Sequence, residues 1–204
     1  MTLGKRLLDV TLALLLGTLL LPLLAVLLVV MAVAEGRPLF YVSERMRSPT
    51  RAFGLIKLRT MPVGADRVGG VTGGDKQARM RLLHRLLRRS RADEIPQLWN
   101  VLRGDMSLVG PRPPLRRYVE DYPDIYGPVL QSRPGITGLA SLTYHAHEER
   151  LLAACTTPEA TDAVYRRRCV PAKARLDLIY ARHRNLCWDL LLIGRTAARP
   201  FRRK

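Results

Sequence analysis

The stretch that decides the fold of this chain is DEIPQLWNVLRGDMSLVGPRP, residues 93–113. It begins with two adjacent carboxylates, Asp93 and Glu94, in a strongly basic setting. The chain carries 34 Lys and Arg against 17 Asp and Glu, and residues 79–91 contain a run of arginines and no acid. Acids beside such a cluster indicate a site that gathers anions and holds a cation among them. Phosphate chemistry needs both.

Helix capping is the alternative explanation of the two acids. The pattern predicts a helix that begins near Asp93, runs to Leu102 and ends at Gly104. Asp93 suits the N-cap position, and Glu94 suits a helix N-terminus electrostatically. Residue types alone leave both explanations open, and the surrounding arginines favour the anion site.

The N-terminal segment is the most apolar part of the chain. Residues 7–34 are almost entirely Leu, Val and Ala, which is long enough for a membrane helix of about 20 residues. A signal peptide is the alternative, because Lys5 and Arg6 precede the run and Ala32-Val33-Ala34 resembles a cleavage site. The run exceeds the usual apolar region of about 7–15 residues, so we expect it to be retained.

Charges on both sides of this segment bear on its orientation. Lys5 and Arg6 precede it and several arginines follow it, so the positive-inside rule keeps both ends on the cytoplasmic side. A re-entrant helix kinked at Pro22 satisfies both ends, because proline removes a backbone donor near the middle. An ordinary span with a tolerated proline is equally compatible with the residues. We therefore predict a membrane segment over residues 1–36 and a cytoplasmic, interfacial domain over residues 37–204.

The formal charge of +17 belongs to the part that follows the membrane segment. A basic domain beside a membrane is attracted to anionic lipid. Nucleic acid would also attract it, but the sequence contains no helix-turn-helix, zinc finger or aromatic platform. Anionic lipid is the predicted partner, and nucleic acid is not. The three cysteines form no C-x-x-C pair, so neither a zinc site nor a disulfide framework is indicated.

The rest of the chain is predicted to be mainly α with a short β-hairpin. Residues 38–60 contain two extended runs around a Ser-Pro turn. A glycine-rich loop is expected over residues 63–74. Amphipathic helices over residues 76–89 and from residue 173 onward, the latter with Trp188 and Phe201, have the composition of helices that lie at a membrane surface.

Two rigid segments each present an arginine. Arg112 lies in GPRPP, residues 110–114, and Arg133 begins RPGITG, residues 133–138. Fixed arginines suit phosphate oxygens, although proline and glycine also simply punctuate loops. His145 and His147 form an H-x-H pair without an evident third metal ligand, so a solvated or structural role is favoured.

Together these motifs resemble the bacterial sugar transferases, the small monotopic phosphoglycosyl transferases, over essentially the full length. The motifs that carry the resemblance are KRLLD (5–9), KLRTM (57–61), the block 93–113, RPGITG (133–138) and a terminal D-x-x-Y…N…D pattern over 177–189. The central block is highly specific, and the short motifs would be weak singly. The chain departs from the family in three places: Leu21 replaces a common Ser, Arg91-Ala92 replaces Ser-Leu, and residues 139–145 diverge.

The resemblance implies a monotopic protein of the bacterial inner membrane, on its cytoplasmic face, with a re-entrant N-terminal helix. It implies transfer of a sugar 1-phosphate from a nucleotide diphosphate sugar, with a UDP-sugar expected, to polyprenol phosphate. Asp93 would be the nucleophile, and Glu94 would hold Mg²⁺. A covalent aspartyl-phosphosugar intermediate is implied too.

The candidate phosphate-binding residues are all basic, and they are Lys57, Arg59, Arg88, Arg112 and Arg133. Asp177 is a weaker candidate, either for a catalytic acid or for an acid that positions the catalytic groups without touching the substrate. Two other functions stay open on the residues: a non-catalytic basic module that binds membranes, and a membrane-bound phosphohydrolase. Nothing in the sequence names the sugar.

Overall fold

One long N-terminal helix, α1, spans Leu3–Glu35 in the computed structural model, which describes residues 1–61 and 82–198. Thr2 caps its N-terminus by accepting a hydrogen bond from the backbone N–H of Lys5. The helix is long and apolar enough to cross a membrane, with a mean hydropathy of 2.9 in its most apolar window. Helical structure continues through Pro22. The predicted apolar helix is therefore present as one element.

A β-hairpin follows α1, as predicted. Strands β1 (Phe40–Ser48) and β2 (Arg51–Leu58) pair antiparallel, with Phe40 opposite Leu58. Alternate residues of a strand point to opposite faces, and one face of β2 buries Phe53 and Leu55. The hairpin thus offers one face to the core.

The acidic pair does not cap a helix, so the helix expected to begin near Asp93 is wrong in its start. Helix α2 (Leu82–Ser90) is followed by a 3-10 turn, Ala92–Glu94, and then by α3, Gln97–Arg103. The N-cap of α3 is Pro96, which has no side chain that can cap. The C-terminus agrees with the prediction, because Gly104 adopts the left-handed conformation there. The carboxylate of Asp93 is therefore available for another task.

A second small sheet was not predicted. Strands β3 (Ser107–Val109) and β4 (Gly135–Thr137) pair in parallel, which brings the segments 110–114 and 133–138 side by side. Short helices make up the remainder, and a π-helical turn at Tyr165–Cys169 joins two of them. They are α4 (Arg116–Asp121), α5 (Pro123–Val129), α6 (Leu139–Thr143), α7 (His145–Ala153), α8 (Pro158–Val164), α9 (Val170–His183) and α10 (Leu186–Ala198).

The main hydrophobic core lies between the hairpin, α3, β3 and the last two helices. Buried residues from separate elements meet there, including Leu55, Val101, Leu108 and Leu192, and α1 adds Ala13. Leu12, Leu16 and Leu20 pack against the same core from α1. One side of α1 is thereby attached to the domain.

The N-terminal end of α1 is held by buried polar contacts. Asp9, which is fully buried, accepts hydrogen bonds from the backbone N–H of Leu108 at 3.2 Å and from Lys5 at 3.1 Å. Lys5 also pairs with Asp189 of α10 at 2.9 Å. Arg6 donates to carbonyl oxygens at the C-terminal end of α3. These contacts fix the first turns of α1 to three elements of the domain.

The C-terminal end of α1 returns to the same domain. Met31 is buried in a cluster with Leu58 of β2 and Leu87 of α2. Glu35 pairs with the buried His84 of α2. Both ends of the helix therefore contact one domain, while most of its apolar side chains between them stay exposed.

Several predictions about the surface helices need correction or lie outside the described residues. The glycine-rich segment 63–74, most of the helix expected over 76–89, and Phe201 fall outside them. Trp188 is partly buried and its ring stacks on Tyr180, so its contact with a membrane surface stays a prediction. Trp99 on α3 is more open, at 57% exposed. The expected long C-terminal helix is broken after His183, and Asn185 caps the next helix by accepting from the N–H of Trp188.

Replacing Asp9 with alanine should destabilise the protein. The change leaves the buried N–H of Leu108 without its acceptor, which costs about 2 kcal/mol. The midpoint of thermal unfolding in detergent micelles should fall by about 4–8 °C, as expected for a chain of this size. Asp124→Ala, at an exposed position of α5, is the control and should change the midpoint by about 1–2 °C. Equal shifts in the two variants would contradict the anchoring role.

Candidate active site

Glu94 is the acid of the site that hydrogen bonds and ion pairs fix in place. Its Oε2 accepts hydrogen bonds from Nε and Nη2 of Arg91, at 3.1 and 2.6 Å. Its Oε1 accepts from Nη2 of Arg112 at 3.0 Å, with the ammonium of Lys57 at 3.8 Å. Burial on its own would raise the pKa of Glu94, but the charges of Arg112, Arg91 and Lys57 outweigh it and hold the pKa far below its usual range. Glu94 is therefore a fixed anion.

Asp93 has the opposite character. Its residue is 7% exposed, and its carboxylate accepts no hydrogen bond and forms no ion pair with the residues that the structure describes. Burial and the neighbouring charge of Glu94 raise the pKa of Asp93, while Lys57, Arg88 and Arg112 pull it down. Two adjacent carboxylates whose pKa values are pushed apart are characteristic of acids with different tasks.

Three of the predicted phosphate-binding residues surround this pair. Lys57 comes from β2, Arg88 from α2 and Arg112 from the segment after β3, and all three act electrostatically on Asp93. Burial and the charge of Arg112 lower the pKa of Lys57 to about 8. Burial also lowers the pKa of Arg88, whose Nε donates to Thr60 at 2.9 Å. The site is thus a pair of acidic side chains surrounded by a larger number of cationic ones.

The other two predicted phosphate contacts lie elsewhere. Arg59 donates to the carbonyl oxygen of Gly36 at 3.2 Å and so caps the C-terminal end of α1. Arg133 lies beside Gly104 and the guanidinium of Arg6, at the N-terminal end of α1. Both arginines are thereby associated with α1 rather than with the Asp93–Glu94 pair. Their phosphate-binding role stays a prediction.

Asp177 lies on α9 and is buried, with Oδ1 unpaired among the described residues. Burial raises the pKa of Asp177 to about 7, and Lys173 opposes the change. Its electrostatic neighbours are Lys173 and Tyr126. Asp177 makes no contact with Asp93 or Glu94 in the described part of the chain. Its role as a catalytic or positioning acid therefore also stays a prediction.

The two histidines at 145 and 147 stay separate from the acidic pair. His145 approaches Glu149 at 3.6 Å, and the ring of His147 packs on Tyr144. Residues 1–61 and 82–198 contain no group of three or more His, Cys, Asp or Glu side chains that could hold a metal ion. These contacts agree with the structural role favoured for the two histidines.

Close backbone packing fixes the segment that carries Arg112. Gly110 donates from its N–H to Thr137 at 2.8 Å, and Gly135 donates to Pro111 at 2.9 Å. A Cβ atom added at Gly110 would lie 2.2 Å from the carbonyl oxygen of Arg133. Only glycine permits this approach. Arg112 is consequently held at a defined distance from β4.

The acidic pair fits Mg²⁺ by the chemistry of its donors. Mg²⁺ takes oxygen ligands, usually one or two carboxylates together with substrate phosphates. Each carboxylate oxygen has two acceptor positions. Arg91 fills both positions of Glu94 Oε2, whereas, among the residues that the structure describes, Oε1 accepts from Arg112 alone. The free position and the adjacent Asp93 suit a hard dication, although the surrounding cations oppose it unless phosphate is bound too.

Sequence reasoning missed some residues of the site. Arg91 was noted only as a departure from the family pattern, yet it makes two of the hydrogen bonds to Glu94 and a third to the carbonyl of Ile136. Arg91 is a non-glycine residue with a φ of 59°. Its spacing of three from Glu94 was the one local signal available. Arg45 and Gln97, which lie beside Lys57, gave no such signal.

Comparison with known proteins gives the family. The profile described as "Bacterial sugar transferase" matches residues 1–203. The chain belongs to this family, which confirms the assignment made from its motifs.

Three curated relatives illustrate the similarity. A putative undecaprenyl-phosphate N-acetylgalactosaminyl 1-phosphate transferase of Bacillus subtilis is 36% identical over 58% of this chain and 66% of its own length. A UDP-glucose:undecaprenyl-phosphate glucose-1-phosphate transferase of Caulobacter vibrioides is 40% identical over 69% of this chain and 54% of its own. One so named from Xanthomonas campestris is 31% identical over 90% of this chain and 36% of its own. The matched region thus covers between about a third and two thirds of these relatives.

The backbone at Arg91 provides a test of how Glu94 is held. Arg91→Gly and Arg91→Ala both remove the guanidinium, but alanine in the left-handed conformation costs about 1 kcal/mol more than glycine. The alanine variant should unfold about 2–4 °C below the glycine variant in detergent micelles. Equal midpoints would show that the backbone at residue 91 relaxes once the contact with Glu94 is lost.

Proposed function

We propose that this protein transfers a sugar 1-phosphate from a UDP-sugar to polyprenol phosphate through a covalent intermediate on Asp93. The observation that carries this proposal is the division of roles between the two acids. Glu94 is held as an anion by Arg91 and Arg112, whereas Asp93 accepts no hydrogen bond from any residue that the structure describes. The printed names of the relatives, which describe undecaprenyl-phosphate sugar-1-phosphate transferases, support the same reaction.

In the first step, the Asp93 carboxylate attacks the phosphorus that bears the sugar. A bond forms between the carboxylate oxygen and this phosphorus, and the bond to the bridging oxygen breaks, so that UMP leaves. Carboxylates form acyl phosphates in this way in aspartyl-phosphate ATPases. Lys57, Arg88 and Arg112 would stabilise the charge on the phosphoryl oxygens.

In the second step, an oxygen of polyprenol phosphate attacks the same phosphorus. The bond to the Asp93 carboxylate breaks, which gives a polyprenyl diphosphate sugar and regenerates the acid. Asp93 can serve both as the nucleophile and as the leaving group because no hydrogen-bond donor from the described part of the chain must be removed from it. This product would begin the synthesis of a bacterial glycoconjugate or exopolysaccharide.

Glu94 is the proposed metal ligand. Mg²⁺ bound there would neutralise the charge of the diphosphate and help UMP leave. The chain's own contribution is to keep Glu94 ionised and oriented, which Arg91 and Arg112 do through hydrogen bonds. Because cations already surround Glu94, the metal is expected to bind together with the nucleotide.

A position at the membrane surface is proposed from the attachment of α1. Arg6 at one end and Glu35 at the other both contact the same domain, which favours a helix that enters and leaves on one side. Apolar side chains of α1 that do not pack on the domain remain exposed, and so do others on α2, α3 and α10. Lipid contact requires such exposed apolar surface. Examples from α1, α2, α3 and α10 are Leu15, Leu19, Leu82, Leu86, Trp99 and Leu190.

This attachment fits a monotopic protein on the cytoplasmic face of the bacterial inner membrane, with anionic lipid as a further partner. Residues 1–36 would form the re-entrant part, kinked at Pro22, and residues 37–204 the catalytic domain. The water-soluble donor and the lipid acceptor can meet at this depth.

Release of UMP distinguishes the proposed transferase from its two alternatives. A non-catalytic membrane-binding module would bind anionic liposomes without releasing UMP. A phosphohydrolase would continue to release product without polyprenol phosphate, whereas the transferase stops after one turnover. A panel of UDP-sugars in this assay would also identify the sugar.

Replacing Asp93 with asparagine should abolish turnover. The amide is a poor nucleophile, so neither UMP nor a phosphosugar adduct on the protein should form. Incubation with labelled UDP-sugar alone, followed by mass spectrometry of the intact chain, measures the adduct. Asp124→Asn, at an exposed position, is the matched control and should retain both. Full activity of Asp93→Asn would remove the nucleophile assignment.

The donor half-reaction should lose efficiency above about pH 8. Lys57 attracts phosphate only while protonated, and its pKa of about 8 means that the charge is lost as pH rises through that value. At low pH, protonation of Asp93 removes the nucleophile. Because the pKa of Asp93 is raised, this loss should occur at a higher pH than the ordinary pKa range of aspartate. Single-turnover measurement of UMP release without lipid, at UDP-sugar concentrations below saturation, gives the second-order rate constant of this step and leaves out the ionisation of the acceptor.

Lys57→Arg tests the assignment of the basic limb, since a guanidinium stays charged above pH 12. The decline near pH 8 should move upward in this variant. An unchanged decline would show that another group causes it.

A further inference from the structure

A recess lies beside the acidic pair. The proposed reaction steps give a role to only some of the residues that line it. It is lined by Arg45, Leu55, Lys57, Gln97, Arg112 and Pro113, and the volume open to a water-sized group is about 20 Å³. Because roughly 10–15 Å³ is enough for one water molecule, the recess can receive one small polar group, such as a single oxygen atom. Lys57 and Arg112 line it on one side and contact Glu94 on the other. The side chains of Lys57 and Arg112 therefore lie between the recess and Glu94.

Two buried donors in this lining have no partner among the described residues. They are Nε of Arg45 and Nε2 of Gln97, and Gln97 is only 3% exposed. Native proteins rarely leave buried donors unpaired, and each exception calls for an explanation such as a bound ligand. Both residues line the same recess. A group with several acceptor oxygens would satisfy both.

The positive charges of the recess outnumber the negative charge beside them. Three of its side chains are cationic, and two of these, Lys57 and Arg112, share the single charge of Glu94 with Arg91. Glu44, the neighbour of Arg45 in β1, is occupied by Arg116 at 2.8 Å. Burial and the charge of Arg112 lower the pKa of Arg45. An anion in the recess would relieve this repulsion.

The framework of the recess is rigid without a ligand. Asn100 of α3 accepts from the N–H of Ile56 at 3.1 Å and donates to the carbonyl of Gly54 at 2.8 Å, which fixes α3 to β2. The N–H of Met46 donates to Pro114 at 3.0 Å, which fixes β1 to the segment of Arg112. Four separate segments are thus held around one small space, which favours a preformed site.

We propose that Arg45 and Gln97 complete an anion subsite with Lys57 and Arg112, and that it binds a phosphate group of one substrate. The assignment of that phosphate to a substrate rests on the proposed function. The chemistry recognised is a phosphate oxygen that accepts from a guanidinium and a carboxamide. Its source is either the diphosphate of the donor or the phosphate of the lipid acceptor.

Binding of inorganic phosphate to the full chain in detergent micelles tests the subsite without any reaction. Phosphate should raise the midpoint of thermal unfolding of the unmodified protein. Arg45→Gln and Gln97→Met should each need at least about tenfold more phosphate for an equal rise, because each loses a donor. Arg175→Gln, which changes an exposed arginine of α9, should respond like the unmodified protein.

Stability without phosphate separates this role from a structural one. Removing an unpaired buried donor should leave the midpoint of Gln97→Met unchanged or higher. A lower midpoint together with an unaltered phosphate response would overturn the subsite. An unaltered response in both variants would also overturn it.

The two half-reactions then identify the source of the phosphate. If the donor supplies it, Arg45→Gln raises the KM for the UDP-sugar in UMP release about tenfold or more and leaves the KM for polyprenol phosphate unchanged. The reverse pattern assigns it to the lipid acceptor, and either pattern supports the subsite. Absence of UMP release from the unmodified protein would overturn the proposed function but would not affect the phosphate-binding result.

Discussion

The multiple ion pairing of Glu94 is the interaction on which the site depends. Arg91, Arg112 and Lys57 reach it from the 3-10 turn, the segment after β3 and strand β2. Removing such a buried partner leaves cations uncompensated, which destabilises proteins more than the pairing itself stabilises them. Glu94 therefore organises the charges that surround Asp93. As a consequence, the carboxylate of Asp93 lies among cationic side chains but accepts no hydrogen bond from any described residue.

Part of this site could be predicted from the sequence because its signals are local. The adjacency of Asp93 and Glu94 and the arginines before them lie within one short stretch, and the proline-rich run around Arg112 is equally visible. The hairpin and the apolar α1 also follow from local patterns. Family resemblance then linked these pieces to one reaction class.

Other parts depend on contacts that no short window contains. The helix start at Asp93 was wrong because Pro96 and the left-handed Arg91 divide the region into a 3-10 turn and α3. Arg45 reaches the site only through the register of β1 and β2, which places it opposite Phe53. Arg59 and Arg133 have the composition of phosphate ligands but lie at opposite ends of α1. Residue type alone does not distinguish these positions.

The backbone contact between Gly110 and Gly135 has a consequence for how members of such a fold can diverge. It ties the Arg112 segment to β4 through main-chain atoms, and β4 continues from Arg133 beside the N-terminal end of α1. Side chains around these glycines can therefore change without altering the spacing between Arg112 and the N-terminal end of α1. Side-chain chemistry and the placement of this segment become separately adjustable traits, the first carried by side chains and the second by the peptide backbone.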